Sequence, residues 1–175
     1  MTEVLDWDHA VLEIPEAGLK VERAATPEER ETIARTLELA GCTSLIANYK
    51  LSPRSEGHFR LAGTLTARVE QTCVVTLEPL SNEISESYSV DFWPDSKLPA
   101  QDGGLVDVHD EPDMEPIIAG RIEAGRVIFE CLAGAIDLFP RKPGATFEQP
   151  SDSTEAKSSE SSGPFAALAK IRQKR

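Results

Sequence analysis

The sequence has few cysteines, few histidines and no long apolar run. Its three cysteines, Cys42, Cys73 and Cys131, are far apart and odd in number, which favours reduced thiols in a cytosol over a disulfide framework. No stretch reaches the roughly 18 uninterrupted apolar residues of a membrane-spanning helix. Residues 1–12 lack the basic segment and the long apolar run of a signal peptide. We therefore expect a cytoplasmic protein that has no membrane partner.

The sequence motifs of catalysis and metal binding are also missing. There is no glycine-rich phosphate loop, no nucleophile elbow and no pair of metal-ligand histidines. His9, His58 and His109 are isolated in sequence, and the acidic run 107–115 lacks the ligand spacing of a calcium loop. We expect no enzymatic activity, no cofactor and no metal.

Basic residues are outnumbered by acidic ones. Lysine and arginine total 18 against 30 aspartates and glutamates, which gives a formal net charge of -12. Such a surface repels nucleic acid on average and argues against non-specific DNA binding, although it leaves room for a local basic patch. With 175 residues and 40% apolar content, the chain is long enough for one domain with a core and some unstructured sequence.

The alternation of side chains predicts the centre of the fold at residues 59–79. Phe59, Leu61, Leu65 and Val69 all point one way, which is typical of a long, half-buried strand. Residues 72–77 are apolar or β-branched on both faces, so a more fully buried strand is expected there, ending at Pro79. This places Cys73 in an apolar core that would raise its pKa and keep it inert.

Two helices are predicted on either side of the central strands. Thr26, Pro27 and Glu29 form a capping box with proline at the first helical position, so a helix should run from 27 to 40 and end at Gly41. Helical apolar spacing predicts a second helix over 122–139, with Cys131 on its core face. The residues expected to be largely buried are Leu37, Leu65, Leu132 and Ile136.

Further strands are predicted near 4–14, 19–23, 43–51 and 84–93. Glu86 interrupts the apolar face of the last of these, which indicates a sheet edge or a bulge. The fold class expected is α+β, an antiparallel sheet or partial barrel packed against the two main helices.

The chain is expected to divide into three parts. Residues 1–147 should form a single domain that contains an acidic loop at 95–115, with a short strand proposed at 105–108. Residues 148–163 hold six serines, four acids and no large apolar residue, so a disordered linker is expected. Residues 164–175 carry four bases and no acid, and they predict a short basic amphipathic helix.

The central stretch resembles a known family. G-x-L-x-A-x-V-x-Q-x-C-V-V-T-L-E-P, followed by a strand, an acidic loop and a late apolar helix, is similar to the YceD family of bacterial proteins, also called large ribosomal RNA subunit accumulation proteins. The likeness covers residues 10–147, and the terminal PFAALAKI is also family-like. The family signature falls here on Cys73, Leu77, Glu78 and Pro79.

The resemblance implies a non-enzymatic role in the synthesis, processing or accumulation of 23S ribosomal RNA, and so in large-subunit assembly. Many members carry a Cys-x-x-Cys pair in this strand. Thr76 occupies the second position here, so a metal or redox role of that pair does not carry over.

Basic residues gather on the predicted hairpin, in a turn after the second helix and at the C-terminus. These groups are candidates for contact with RNA phosphates or with a protein partner, and they comprise Lys50, Arg54, His58, Arg60, Arg68, Arg141, Lys142, Lys170, Arg172, Lys174 and Arg175. The alternatives are an ordinary solvated sheet face and a frayed tail.

Two functions remain open at this point. The chain is expected to support large-subunit assembly by binding 23S ribosomal RNA, its precursor or an assembly factor. Alternatively, it is an acidic adaptor that holds a basic ribosomal protein without contacting RNA, which the net charge of -12 favours.

Overall fold

A computed structural model describes residues 4–94 and 114–146. These residues form an α+β fold, which confirms the predicted fold class. None of the helices within them is long and apolar enough to cross a membrane. The elements are β1 (Asp8–Ala10), β2 (Leu19–Ala24), α1 (Pro27–Thr36), β3 (Gly41–Pro53), β4 (Phe59–Thr72), β5 (Pro79–Pro94), β6 (Met114–Ile117), β7 (Arg121–Glu123) and α2 (Ala124–Ala135).

The main sheet is open and has the strand order β2-β3-β4-β5-β6. Neighbours are antiparallel from β2 to β5, whereas β5 and β6 are parallel. The predicted antiparallel sheet over residues 43–93 is thus confirmed by β3, β4 and β5, and the parallel strand β6 lies outside that range. A separate two-stranded sheet joins β1 to β7, with Asp8 opposite Glu123.

The core lies on one face of the main sheet. The predicted alternation along β4 is confirmed, because Phe59, Leu61, Leu65 and Val69 are buried while Thr64, Thr66 and Arg68 on the other face are exposed. Leu65 and Leu132 are fully buried. Leu37 and Ile136 are only partly buried, and both pack against the core.

Helix α1 begins as predicted but ends early. The Glu29 N–H donates to Thr26 Oγ1 at 3.2 Å, and the Thr26 N–H donates to Glu29 Oε2 at 2.7 Å, which completes the capping box. The helix ends at Thr36 because Glu38 adopts a positive φ of 53° and the Leu39 N–H turns back to the Ala34 carbonyl at 2.9 Å. Gly41, predicted as the helix cap, instead begins β3.

Helix α2 is shorter than predicted at both ends. Ile122 belongs to β7, where it lies opposite His9 of β1, so the helix starts at Ala124. It stops at Ala135 because Ile136 has an extended backbone. At the N-terminus the predicted strand is likewise reduced to Asp8–Ala10, followed by a 3-10 turn at Val11–Glu13.

The greatest departure from prediction is at residues 72–79. Strand β4 ends at Thr72, and residues 73–78 form a turn rather than a buried strand. Pro79 begins β5 instead of ending a strand, a position where its missing N–H is tolerated. The apolar, β-branched composition of this stretch therefore does not reflect burial within a sheet.

Among the described residues, Glu86 lies on a sheet edge, as predicted, and the pairing of β4 with β5 has no bulge. The register between β4 and β5 runs without a shift from Thr72↔Pro79 to Phe59↔Phe92. On the other side of β5, the only strand among the described residues is β6, which pairs with residues 91–94 alone. Residues 79–90 of β5 thus form an open edge in the described part of the chain.

Several predictions lie outside the described residues. These are most of the acidic loop, including the strand proposed at 105–108, together with the linker 148–163 and the helix at 164–175. Met114 and Glu115, which were assigned to the loop, begin β6.

Candidate functional site in a cysteine-centred turn

The connection between β4 and β5, residues 73–78, is called the cysteine turn below. The Cys73 N–H donates to the Glu78 carbonyl at 2.9 Å, and the Leu77 N–H donates to the Cys73 carbonyl at 2.9 Å. Leu77 has a φ of 58°, in the left-handed region that few residues other than glycine occupy. The turn is thus closed by its own backbone, and the Leu77 side chain is 76% exposed.

The segment that follows α2, residues 137–142, is bonded to this turn. The Val74 N–H donates to the Pro140 carbonyl at 2.9 Å, and Gln71 Nε2 donates to the Asp137 carbonyl at 2.8 Å. Lys142 Nζ lies 2.8 Å from Glu78 Oε2. Two segments far apart in sequence therefore form one structural unit, and Glu78 is one of its links.

The sulfur of Cys73 lies at the centre of this unit and is fully shielded from solvent. It accepts the backbone N–H of Lys142 at 3.3 Å and that of Thr76 at 3.4 Å. The Thr76 side chain, followed by these two N–H groups, lowers the pKa of Cys73 to about 6. The predicted burial is confirmed, but the predicted rise in pKa is wrong because hydrogen bonding outweighs desolvation.

The other two cysteines behave differently. Cys42 and Cys131 are partly buried, and burial raises the pKa of each thiol. Cys131 packs against the core, as its helical spacing predicted. Among the three thiols, Cys73 alone has a lowered pKa.

Large apolar side chains project from both segments of the unit. Val74 is 45% exposed, Leu77 76%, Leu138 79% and Phe139 69%, and these four define the turn surface. Exposed apolar groups that lie together usually mark an interaction site. Sequence reasoning missed this surface because it assigned residues 72–77 to a buried strand and residues 138–139 to a helix.

Two of the arginines predicted to bind phosphate, Arg60 and Arg68, already form ion pairs with carboxylates. Arg60 donates to both carboxylate oxygens of Asp91, at 2.8 and 2.6 Å, and the guanidinium lowers the pKa of that carboxyl. Arg68 forms an ion pair with Glu83 across the same two strands. His58 stacks on Trp93 with ring centroids 4.1 Å apart. The structure therefore places these three residues where predicted, but as parts of internal pairs.

Other basic residues have no acidic partner among the described residues. Lys50 belongs to this group, as does Arg141, whereas the charge of Arg54 helps to lower the pKa of Asp91. Lys20, which sequence reasoning did not single out, lies directly opposite Lys50 across β2 and β3. Only the strand register reveals this pair of like charges.

The predicted basic groups do not form one continuous patch. Arg54 lies in the connection that precedes β4, whereas Arg141 belongs to the segment bonded to the cysteine turn at the other end of β4. A strand of 14 residues is roughly 45 Å long. Lys170, Arg172, Lys174 and Arg175 lie outside the described residues.

No metal site is found in residues 4–94 and 114–146, where no three histidine, cysteine or acidic side chains form a group that could hold an ion. Comparisons with sequence models of protein families, with curated proteins and with solved structures found no match for this chain.

Proposed function

We propose that this chain is a non-enzymatic protein that supports the accumulation of 23S ribosomal RNA and large-subunit assembly by binding a protein partner at the turn surface. The ribosomal role rests on the resemblance of residues 59–79 to the YceD family. The choice of a protein partner rests on one observation, the exposure of Val74, Leu77, Leu138 and Phe139 on two segments that are bonded together.

The energetics of the turn surface suit a protein partner. Burying one large apolar side chain contributes roughly 1.5–3 kcal/mol, so two anchors such as Leu77 and Phe139 would add about a hundredfold or more in affinity. The backbone that presents Leu77 is closed by hydrogen bonds, which reduces the entropy lost on binding.

The outer sheet face is the side of the main sheet that faces away from the core. Its ion pairs also favour a protein partner over RNA. An RNA phosphate that approached Arg60 would have to compete with the carboxylate of Asp91, which is 4% exposed and bound through both oxygens. Arg68 contacts Glu83 through one carboxylate oxygen only, and both side chains are exposed, so this pair competes less strongly. The adaptor hypothesis therefore needs no rearrangement of the described residues, whereas phosphate binding by these arginines does.

Direct RNA binding remains a second candidate because of Lys20 and Lys50. Like charges directly opposite each other on a sheet are unfavourable, and an anion placed between them would relieve that repulsion. Neither lysine has an ion-pair partner in the described part of the chain. This site could hold one or two phosphates, fewer than the predicted hairpin patch.

A pull-down with the full-length tagged chain tests the proposal. We expect ribosomal or assembly proteins to remain associated after nuclease treatment. The double variant Leu77→Asp/Phe139→Asp should lose them, because it places charges where the partner buries apolar groups. In a host that lacks the gene, the same variant should fail to restore 23S ribosomal RNA levels.

The matched control is Leu12→Asp, since Leu12 is 99% exposed and lies in the 3-10 turn after β1. It should behave like the parent in both assays. If the double variant folds, keeps its partners and restores the RNA, the turn surface is not the binding site. If association disappears with nuclease in the parent, RNA is the partner and the adaptor proposal is wrong.

A further inference from the structure

The outer edge of β5 borders a second surface, distinct from the turn surface. Strand β4 pairs with β5 along its length, but across residues 79–90 no strand covers the opposite side among the described residues. In a strand, every second residue directs its N–H and C=O toward a given edge. About half of these positions therefore present backbone groups that an added strand could bond.

A groove runs beside this edge, between β5 and helix α2. It has a volume of about 520 Å³, and Tyr88 and Val90 line it from the strand, Met114 and Glu115 from β6, and Glu130 and Cys131 from the helix. Strand β6 already pairs with the same edge at residues 91–94. The groove thus continues the line that a further strand would follow.

The groove offers a polar group that lacks a partner. The hydroxyl of Tyr88 is shielded from solvent and forms no hydrogen bond within the described residues. Burial raises the pKa of Tyr88, so the hydroxyl stays protonated and can donate. A peptide carbonyl in the groove would satisfy it.

The charged residues around the groove determine whether a basic or an acidic peptide strand would bind there. Arg126 binds three carboxylates, those of Glu115, Glu123 and Glu130. Glu86 is a fourth, on the exposed part of β5, and its charge acts on the Cys131 thiol. These four carboxylates outnumber the one guanidinium, so this surface attracts a basic segment and repels an acidic one.

We infer that the open edge of β5 and this groove bind an extended, basic peptide segment of another protein, which pairs with residues 79–90 as an added strand. A second copy of β5 would bring the same acidic surroundings and be repelled. The chain's own segment 95–113 is equally unsuited in charge, with six acids against Lys97. The inference does not depend on the function proposed for the turn surface.

The competing explanation is that Glu86 only protects the edge. A charged residue on the core-facing side of an edge strand discourages pairing with other chains, and Glu86 alternates with Ile84 and Tyr88 on that side. In that case no peptide should pair with β5, whatever its charge.

A peptide titration distinguishes peptide binding at β5 from edge protection by Glu86. The amide chemical shifts of the isotope-labelled full chain are measured as the peptide is added. The probe is an eight-residue peptide of alternating lysine and valine with blocked ends. It should shift the amides of residues 79–90 and of α2. A version with every backbone nitrogen methylated keeps the charge but cannot pair, and it should leave those amides unchanged, as should a version with glutamate in place of lysine.

A charge reversal with a matched control completes the test. Glu86→Lys should weaken binding of the lysine peptide by roughly threefold to tenfold, because an attraction becomes a repulsion. Glu31→Lys, at an exposed position of α1, changes the net charge equally and should leave the affinity unaltered. No shift in residues 79–90 at millimolar peptide, equal shifts with the methylated peptide, or equal weakening by both variants would each overturn the inference.

Discussion

The sulfur of Cys73 connects the cysteine turn to the segment after α2. It accepts one N–H from each, those of Thr76 and Lys142, and these donors favour the thiolate. The sequence predicted a buried thiol at this position but gave no means of placing Lys142, 69 residues away, against it. A lowered pKa depends on such tertiary donors, so composition alone pointed to the opposite shift.

The lowered pKa of Cys73 predicts a pH-dependent stability. Because the native pKa is about 6 and that of an unfolded cysteine is about 8.5, unfolding takes up a proton between these values. The thiolate's contribution to the free energy of unfolding is complete above the pKa of the unfolded cysteine. It is lost as the pH falls through the pKa of Cys73 in the folded protein. The melting temperature of the parent relative to Cys73→Ser should therefore decrease from pH ~9 to pH ~6, measured by calorimetry under reducing conditions.

Cys131→Ser is the control for this experiment. Burial raises the pKa of Cys131, so its contribution has the opposite sign and is lost as the pH rises. A pH-independent difference between parent and Cys73→Ser would show that the Cys73 thiol has the same pKa in the folded and the unfolded protein, and a decrease with rising pH would show that the folded protein keeps the thiol neutral.

Among the secondary-structure elements, β2, β3, most of β4 and β5, and the start of α1 were predicted well from local sequence signals. The capping box at Thr26 and Glu29 and the alternation along β4 depend only on nearby residues. The end of α2 and the turn at 73–78 depend on contacts between distant segments, such as the bond from Gln71 to the Asp137 carbonyl. Apolar composition at Val74, Leu77, Leu138 and Phe139 was read as burial, whereas these side chains are exposed.

Two glycines of α2 distinguish a packing constraint from helix propensity. A Cβ at Gly125 would overlap the carbonyl oxygen of Leu5, whereas one at Gly134 would meet nothing within 4 Å. Gly134→Ala should raise the free energy of unfolding by about 0.5–1 kcal/mol through helix propensity. Gly125→Ala should lower it by about 1–3 kcal/mol through overpacking.

Urea denaturation of both variants measures these changes. We expect the two changes in the free energy of unfolding to have opposite signs. Because both are Gly→Ala replacements in the same helix, the difference reports the packing around each glycine. Equal stabilisation by both would show that the segment around Leu5 does not pack closely on α2.

For the molecule as a whole, a net charge of -12 leaves little positive surface for RNA. With Arg60 and Arg68 paired, the remaining bases near the outer sheet face among the described residues are Lys20, Lys50 and Arg54. If the chain binds single-stranded RNA through this face, it neutralises about three phosphates at most.

This limit gives a prediction for salt dependence. The logarithm of the RNA affinity against the logarithm of the salt concentration should have a slope of magnitude no greater than about two, since each phosphate on a single strand contributes about 0.7. Lys20→Glu/Lys50→Glu should abolish most of this slope, as measured by fluorescence anisotropy with a large-subunit RNA fragment. A slope of three or more in the parent would mean that further bases contact phosphate, either Arg60 and Arg68 after their carboxylates are displaced or the bases of residues 164–175.

The small sheet of β1 and β7 has a consequence for the order of folding. Strands β3, β4 and β5 are joined by short connections and can pair as soon as each is made. Strand β1, in contrast, has its partner far along the chain, and Asp8 bonds to Arg121 across 113 residues. Closing so large a loop costs entropy that only the finished core repays. During synthesis, the first strand of this protein must therefore wait for nearly the whole domain before it can take its place.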